Sequence, residues 1–225
     1  MSQTTPPPWQ AHSASDYDIK MRSRCGILLD EIMLSGTRRQ SILADPRGVH
    51  RELFADFTPT GYEEYAGTYR GEPGTTLEGR IAFSNSQLGQ DGYRFVSAGD
   101  VAKHMQDLRA NITSALATRG THADNLLRAA MVFGYFGTIH PFLDGNGHVQ
   151  RAIFAAMITE FGYPLNSRFA LHPRPFDALL AIALELFARR GQKQAEGALI
   201  AEYLGYWVDG PFANAGGTLA PSDLY

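Results

Sequence analysis

One twelve-residue run constrains this chain more than anything else in its 225 residues. It reads His140, Pro141, Phe142, Leu143, Asp144, Gly145, Asn146, Gly147, His148, Val149, Gln150 and Arg151. The proline disfavours helical geometry at His140, so a helix arriving from the N-terminal side ends there. Gly145, Asn146 and Gly147 form a turn that can open the next helix, and backbone N–H groups at a helix start can face an anion. A histidine takes a proton near neutral pH. Asp144 can hold Mg²⁺ through one oxygen, with water and phosphate filling the other positions; the Asp-Gly pair is equally a common turn former. Arg151 brings a permanent charge and a forked donor geometry suited to phosphate. Together these are the parts needed to move a phosphate-bearing group.

The run resembles the Fic-family signature, HxFx(D/E)GNGRxxR. Every fixed position agrees except one: His148 stands where the family has its first arginine. A second stretch also resembles the family, with His50, Leu53 and Phe54 followed by Ala66, Gly67, Thr68, Tyr69 and Arg70. The resemblance implies a mainly α fold, a Fic-type helical bundle with a small β-hairpin flap. It implies Mg²⁺-dependent transfer of AMP, or another nucleoside monophosphate, from a nucleoside triphosphate to a Ser, Thr or Tyr hydroxyl of a target protein. ATP is the implied co-substrate and Mg²⁺ the implied cofactor. By resemblance, His140 is the catalytic base and Asp144 the metal ligand. Gly145, Asn146 and Gly147 form the phosphate cradle, with the Asn146 side chain on the phosphate under attack, while His148 and Arg151 grip the triphosphate. Arg80, Ile81, Ala82 and Phe83 belong to the flap, which takes the target segment as an added strand. Gly147 argues against the phosphate-transferring Doc branch, where a lysine stands. The family's inhibitory pattern, (S/T)xxxE(G/N), is matched only at its end by Glu196 and Gly197, with Gln192 standing at the Ser/Thr position. Restraint by a separate antitoxin protein is therefore a further implied partnership.

Hydrophobic residues make up 44% of the chain and charged residues 19%, a globular balance. The length suits a single Fic-type domain over residues 14–207. Residues 1–13, rich in Ser, Thr, Pro and Gln, read as a disordered tail, and 208–225 as a weakly structured C-terminal tail. A net charge of −3 without a long basic run argues against nucleic acid as a partner. Nothing reads as a membrane-spanning stretch or as the apolar core of a signal peptide. Cys25 stands alone, which forbids an intramolecular disulfide and fits a reducing cytosol. The expected location is the cytoplasm, or the cytosol of another cell after delivery.

Apolar spacing predicts helices over 16–35, around Val49 to Phe54, after Ser97, after Thr121, from about Gly147 to Gly162, and over 176–188 and 195–206. Residues 80–83 and 93–96 can pair as a hairpin or form a surface loop. Beside transfer stand two alternatives: a degenerate Fic domain that binds nucleotide or a partner without catalysis, and a Fic toxin controlled by an antitoxin.

His148 generates a prediction. Arginine attracts a triphosphate at any pH, whereas an imidazole does so only when protonated, and an unperturbed one titrates near 6.5. The extra affinity is present in acid and lost as pH rises. Nucleotide affinity is expected to fall by on the order of 1 kcal/mol as pH climbs through neutral. His148→Arg should flatten that profile. Calorimetric titration of both proteins across this range checks it, and identical profiles would remove His148 from the phosphate site.

Overall fold

The structure is a computed structural model that describes residues 6–173 and 178–208. Among these, the chain is mainly helical. The elements are α1 (Tyr17–Leu34), α2 (Gly36–Ala44), α3 (Arg47–Phe54), β1 (Phe83–Ser84), β2 (Tyr93–Arg94), α4 (Val101–Ala117), α5 (His122–Ile139), α6 (Asn146–Phe161), α7 (Ala178–Arg189) and α8 (Gln194–Gly205). A helical bundle with a small antiparallel hairpin is the expected class. Helix α6 lies at the centre: thirteen of its sixteen residues are buried, so it packs on several sides. Helices α5, α2 and α1 pack directly on it, and α4, α7 and α8 complete the bundle around α5.

The helix ends follow local chemistry. Thr121 and Asp124 form a full capping box at the start of α5. Gly162, at φ 86°, closes α6 in the left-handed conformation. Helix α2 is an element the sequence pattern did not announce. Only Ile42 and Leu43 of its nine residues are buried, so its apolar stripe is short. Its signal is Ser35, whose hydroxyl accepts from the Arg38 N–H as an N-cap.

The hairpin is shorter than expected: β1 starts only at Phe83 and runs one residue past the expected end, and β2 covers the first two of its four expected residues. Phe83 pairs with Arg94 and Ser84 with Tyr93, while Phe95 N–H still donates to Ala82 O at 3.2 Å. Its turn is anchored by Glu185 of α7, a 1% exposed carboxylate that accepts from Ser86 Oγ and Gln87 N–H, both at 2.6 Å, and from Arg189 Nε. Burial alone would raise this carboxyl, but these bonds and the Arg189 charge hold it below the usual range.

The expectation for residues 1–13 covers 1–5, outside the described residues, and 6–13, which are packed onto the domain. Trp9 is 7% and Ala11 2% exposed. At the other end, Val208 makes a bridge with Leu165, and 209–225 lie outside the described residues.

One buried side chain binds several of these parts. Arg70 is 1% exposed and donates to four carbonyls. They are His140 (2.8 Å) and Ile139 (3.0 Å) at the end of α5, and Arg80 (3.0 Å) and Val96 (3.1 Å) on either side of the hairpin. Burial pulls its guanidinium down to about 10, still far above neutral pH. Charged hydrogen bonds of this kind are worth about 1.5–3 kcal/mol each, and removing the donor strands several buried acceptors. Arg70→Met is therefore expected to destabilise the fold by at least about 3 kcal/mol. A urea unfolding midpoint with unchanged slope measures this, and a loss below about 0.5 kcal/mol would contradict the role.

Candidate functional site

The site is a loop between two helices whose backbone is fixed from behind. Helix α5 ends at His140, which adopts φ 50°, ψ 58°, a left-handed conformation uncommon for a residue other than glycine. Pro141 disfavours the helical alternative there. The His140 carbonyl is taken by Arg70 Nε, and Arg70 N–H donates to Pro141 O at 2.7 Å. The His140 ring lies flat against Phe95 of the hairpin, with centroids 4.0 Å apart and planes 12° apart. The candidate base is thus oriented by the flap itself.

The other end of the loop is held by His50 on α3. Gly67 N–H donates to its Nδ1 at 2.8 Å, so the ring proton sits on Nε2, which donates to Asp144 O at 2.9 Å. The ring stacks on Phe142 at 3.8 Å and 6°. Burial drives His50 down to about 3, only partly opposed by its bond to Asp144 O. It is a neutral spacer, not a proton carrier.

Asn146 opens α6, and its side chain closes the loop. Phe142 N–H donates to Oδ1, and Nδ2 donates to Phe142 O, both at 2.9 Å. The expectation placed this amide on a phosphate; in the structure its oxygen and one of its two N–H groups are bound to the loop backbone. Gly145 needs its missing side chain twice over: φ is 76°, and a Cβ would lie 2.4 Å from the Phe54 ring.

Asp144 is half-buried, and both its oxygens accept backbone N–H groups: Oδ1 from Gly145 at 2.7 Å, Oδ2 from Ala11 at 2.9 Å. A carboxylate has about four acceptor positions, so capacity remains for a cation. Among the described residues, no group of three or more His, Cys, Asp or Glu is arranged to hold a metal ion by itself. One carboxylate completed by water and phosphates is the usual arrangement for Mg²⁺, so the residues fit that ion.

His148 and Arg151 are 7% and 4% exposed, three apart on α6. His148 Nε2 lies 3.2 Å from His172 Nδ1, and His172 Nε2 lies 3.4 Å from Asp18 Oδ1. Two imidazole nitrogens facing each other share one proton, one donating and one accepting. Tyr17 packs edge-on against both rings. His172 and Asp18 were not anticipated, and no local pattern marks them.

Of the expected flap residues, Phe83 lies in β1, and Ile81 and Phe83 are exposed at 64% and 59%. The Arg80 side chain turns inward instead, donating to Pro6 O and Pro7 O and covering the Tyr65 ring. Glu196 pairs with Arg190 at 3.1 Å. Cys25 is buried, and desolvation raises its thiol to about 12, which makes it inert as a nucleophile. No helix among the described residues is long and apolar enough to cross a membrane.

The Fic/DOC family model matches residues 43–158, from the end of α2 through most of α6. Two solved structures share the fold. One is BepC, a VirB-translocated effector of Bartonella tribocorum with bound AMPPNP, at 20% identity and TM-score 0.54, covering 82% of this chain and 86% of that one. The other is the N-terminal Fic domain of a VirB-translocated Bep effector of Bartonella quintana, at 17% identity and TM-score 0.52, covering 82% of each chain. No curated protein matches.

The buried His50 makes stability depend on acid. An unfolded chain protonates this ring below about 6.5, while the folded one resists down to about 3. Its contribution is whole above 6.5 and is lost as pH falls, at about 1.4 kcal/mol per pH unit. Between pH 7 and pH 5, His50→Gln should lose stability less steeply than the unchanged protein. Denaturant titration at each pH checks this, and parallel slopes would contradict the neutral buried ring.

Proposed function

The chain belongs to the Fic/DOC family, and from that premise we propose that it transfers AMP, or another nucleoside monophosphate, from a nucleoside triphosphate to a hydroxyl of a target protein. One observation carries the reading. The carbonyls of His140 and Asp144 are each gripped by a buried side chain, Arg70 and His50, while both residues keep partly open side chains. A loop fixed so firmly from behind presents its reactive groups without reorganising, which is where catalytic advantage resides.

In this reading the target segment lies along the outer edge of β1, its hydroxyl beside His140. The imidazole takes the hydroxyl proton, the freed oxygen bonds to the α-phosphorus, and the bond from that phosphorus to the bridging oxygen breaks. Pyrophosphate leaves with the electron pair. Backbone N–H groups at the start of α6 face the phosphates, and Arg151 and His148 neutralise the tail. Mg²⁺, held by Asp144, would supply charge neutralisation on the leaving group. The AMPPNP bound to BepC supports a nucleotide as the donor. The His148–His172 contact favours a second reading, nucleotide binding without transfer, because the family's first arginine is absent.

Incubation with each labelled nucleoside triphosphate, Mg²⁺ and cell lysate, followed by intact mass spectrometry of the labelled product, separates the two. A mass gain of one nucleoside monophosphate on a protein is expected. His140→Ala should lower the rate by roughly 10²–10⁴-fold with nucleotide binding retained. Wild-type turnover in that variant would remove the base assignment, and binding without any transfer would establish the second reading.

A further inference from the structure

The N-terminal segment does more than cover apolar surface. Trp9 anchors it: the indole Nε1 donates to Phe57 O at 2.7 Å, and the ring packs against His50, Phe54 and Tyr65. Pro7 O accepts from Tyr65 OH at 3.0 Å. Two residues beyond Trp9, the backbone N–H of Ala11 meets Asp144 Oδ2 at 2.9 Å across 133 positions of sequence. The same Trp9 ring packs against His50, which holds the Asp144 carbonyl. Residues 6–13 and His50 therefore fix one residue together, from its side chain and from its backbone.

We propose that residues 6–13 are a built-in part of the cation site, with the Ala11 N–H as the positioning group that sets the orientation of the Asp144 carboxylate. This rests on the reading of Asp144 as the metal ligand. A carboxylate on a half-exposed loop can rotate about its own side chain. Here the Gly145 N–H pins one oxygen and the Ala11 N–H the other, leaving one orientation. Both donors belong to backbone, so neither can swing away as a side-chain donor could. Hydrogen-bonded partners that orient ligating groups commonly set metal affinity. The bond consumes one acceptor position of Oδ2 and leaves others for a cation, so the segment orients the ligand and does not replace the metal.

The local backbone provides a clean test. Ala11 is the first residue of a short 3-10 turn, Ala11–Ser13, and Gln10 before it is non-helical, at φ −136°, ψ 84°. Proline is tolerated at a first helical position, and the helical geometry it disfavours in the preceding residue is one that Gln10 does not adopt. Ala11→Pro thus deletes the one N–H, and Ala11→Gly keeps it. The measurement is binding of a non-hydrolysable ATP analogue as a function of Mg²⁺ concentration, with thermal unfolding recorded alongside. Ala11→Pro is expected to raise the Mg²⁺ concentration for half-maximal binding by about 10-fold and to leave Mg²⁺-free binding unchanged. Ala11→Gly should retain the unsubstituted protein's requirement.

An unchanged Mg²⁺ requirement in Ala11→Pro, with the requirement abolished in Asp144→Ala, would overturn this proposal alone. A lowered requirement in Ala11→Pro would overturn it in favour of a segment that obstructs the metal. Unchanged Mg²⁺ dependence in Asp144→Ala would take down the metal assignment and this proposal together. Should Ala11→Pro fail to fold, amide exchange of Ala11 read by NMR decides. Asp144→Ala should speed it on the order of 10-fold, and unaltered exchange would overturn the proposal.

Discussion

Arg70 is the constraint on which the rest of the site depends. A guanidinium with 1% exposure is costly to bury unless its donors find acceptors, and here four carbonyls take four of its five N–H groups. Two of those carbonyls terminate α5, where the helix dipole is negative and a cation is most welcome. The other two flank the hairpin. One side chain therefore fixes the end of the helix that carries His140 and the flap whose Phe95 orients the His140 ring. Arg70 ties the candidate base to the candidate target-binding edge as one rigid unit.

His50 performs the matching task at the other end of the loop, without charge. Its neutrality is enforced by burial, and its two nitrogens face Gly67 N–H and Asp144 O. Both supporting residues come from the same stretch, residues 50–70. The chemistry-bearing run and its support are thus two separate pieces of sequence, joined only by folding.

Local pattern made much of this visible. The start of a helix after Thr121, the glycine at 162 and the break before Pro141 are short-range features, and each stands where the sequence places it. The loop itself was legible as a set of residue types, as was the value of His50 and Arg70 by resemblance. What they do was not, because their contacts span 94 and 70 positions. Residues 6–13 read as a tail because proline, glutamine and serine dominate the composition. A single aromatic residue, Trp9, reverses that by filling a space between Phe54, Tyr65 and His50 that only the assembled domain provides. Likewise the His148–His172 contact joins α6 to a loop beyond it, and no spacing rule pairs them. Asn146 shows the opposite case: its place in the motif was plain, but its side chain serves the loop backbone.

The central claim is that the loop held by Arg70 and His50 and the start of α6 form one nucleotide site. A crystal structure with Mg²⁺ and a non-hydrolysable ATP analogue tests it most directly. The account predicts the phosphates at the first turn of α6, within hydrogen-bond reach of Arg151, with Asp144 on the metal and His140 facing the α-phosphate. It also predicts that Arg70 and His50 keep the contacts described above. Nucleotide bound elsewhere on the domain, or a loop that must unlock from Arg70 to admit it, would contradict the account.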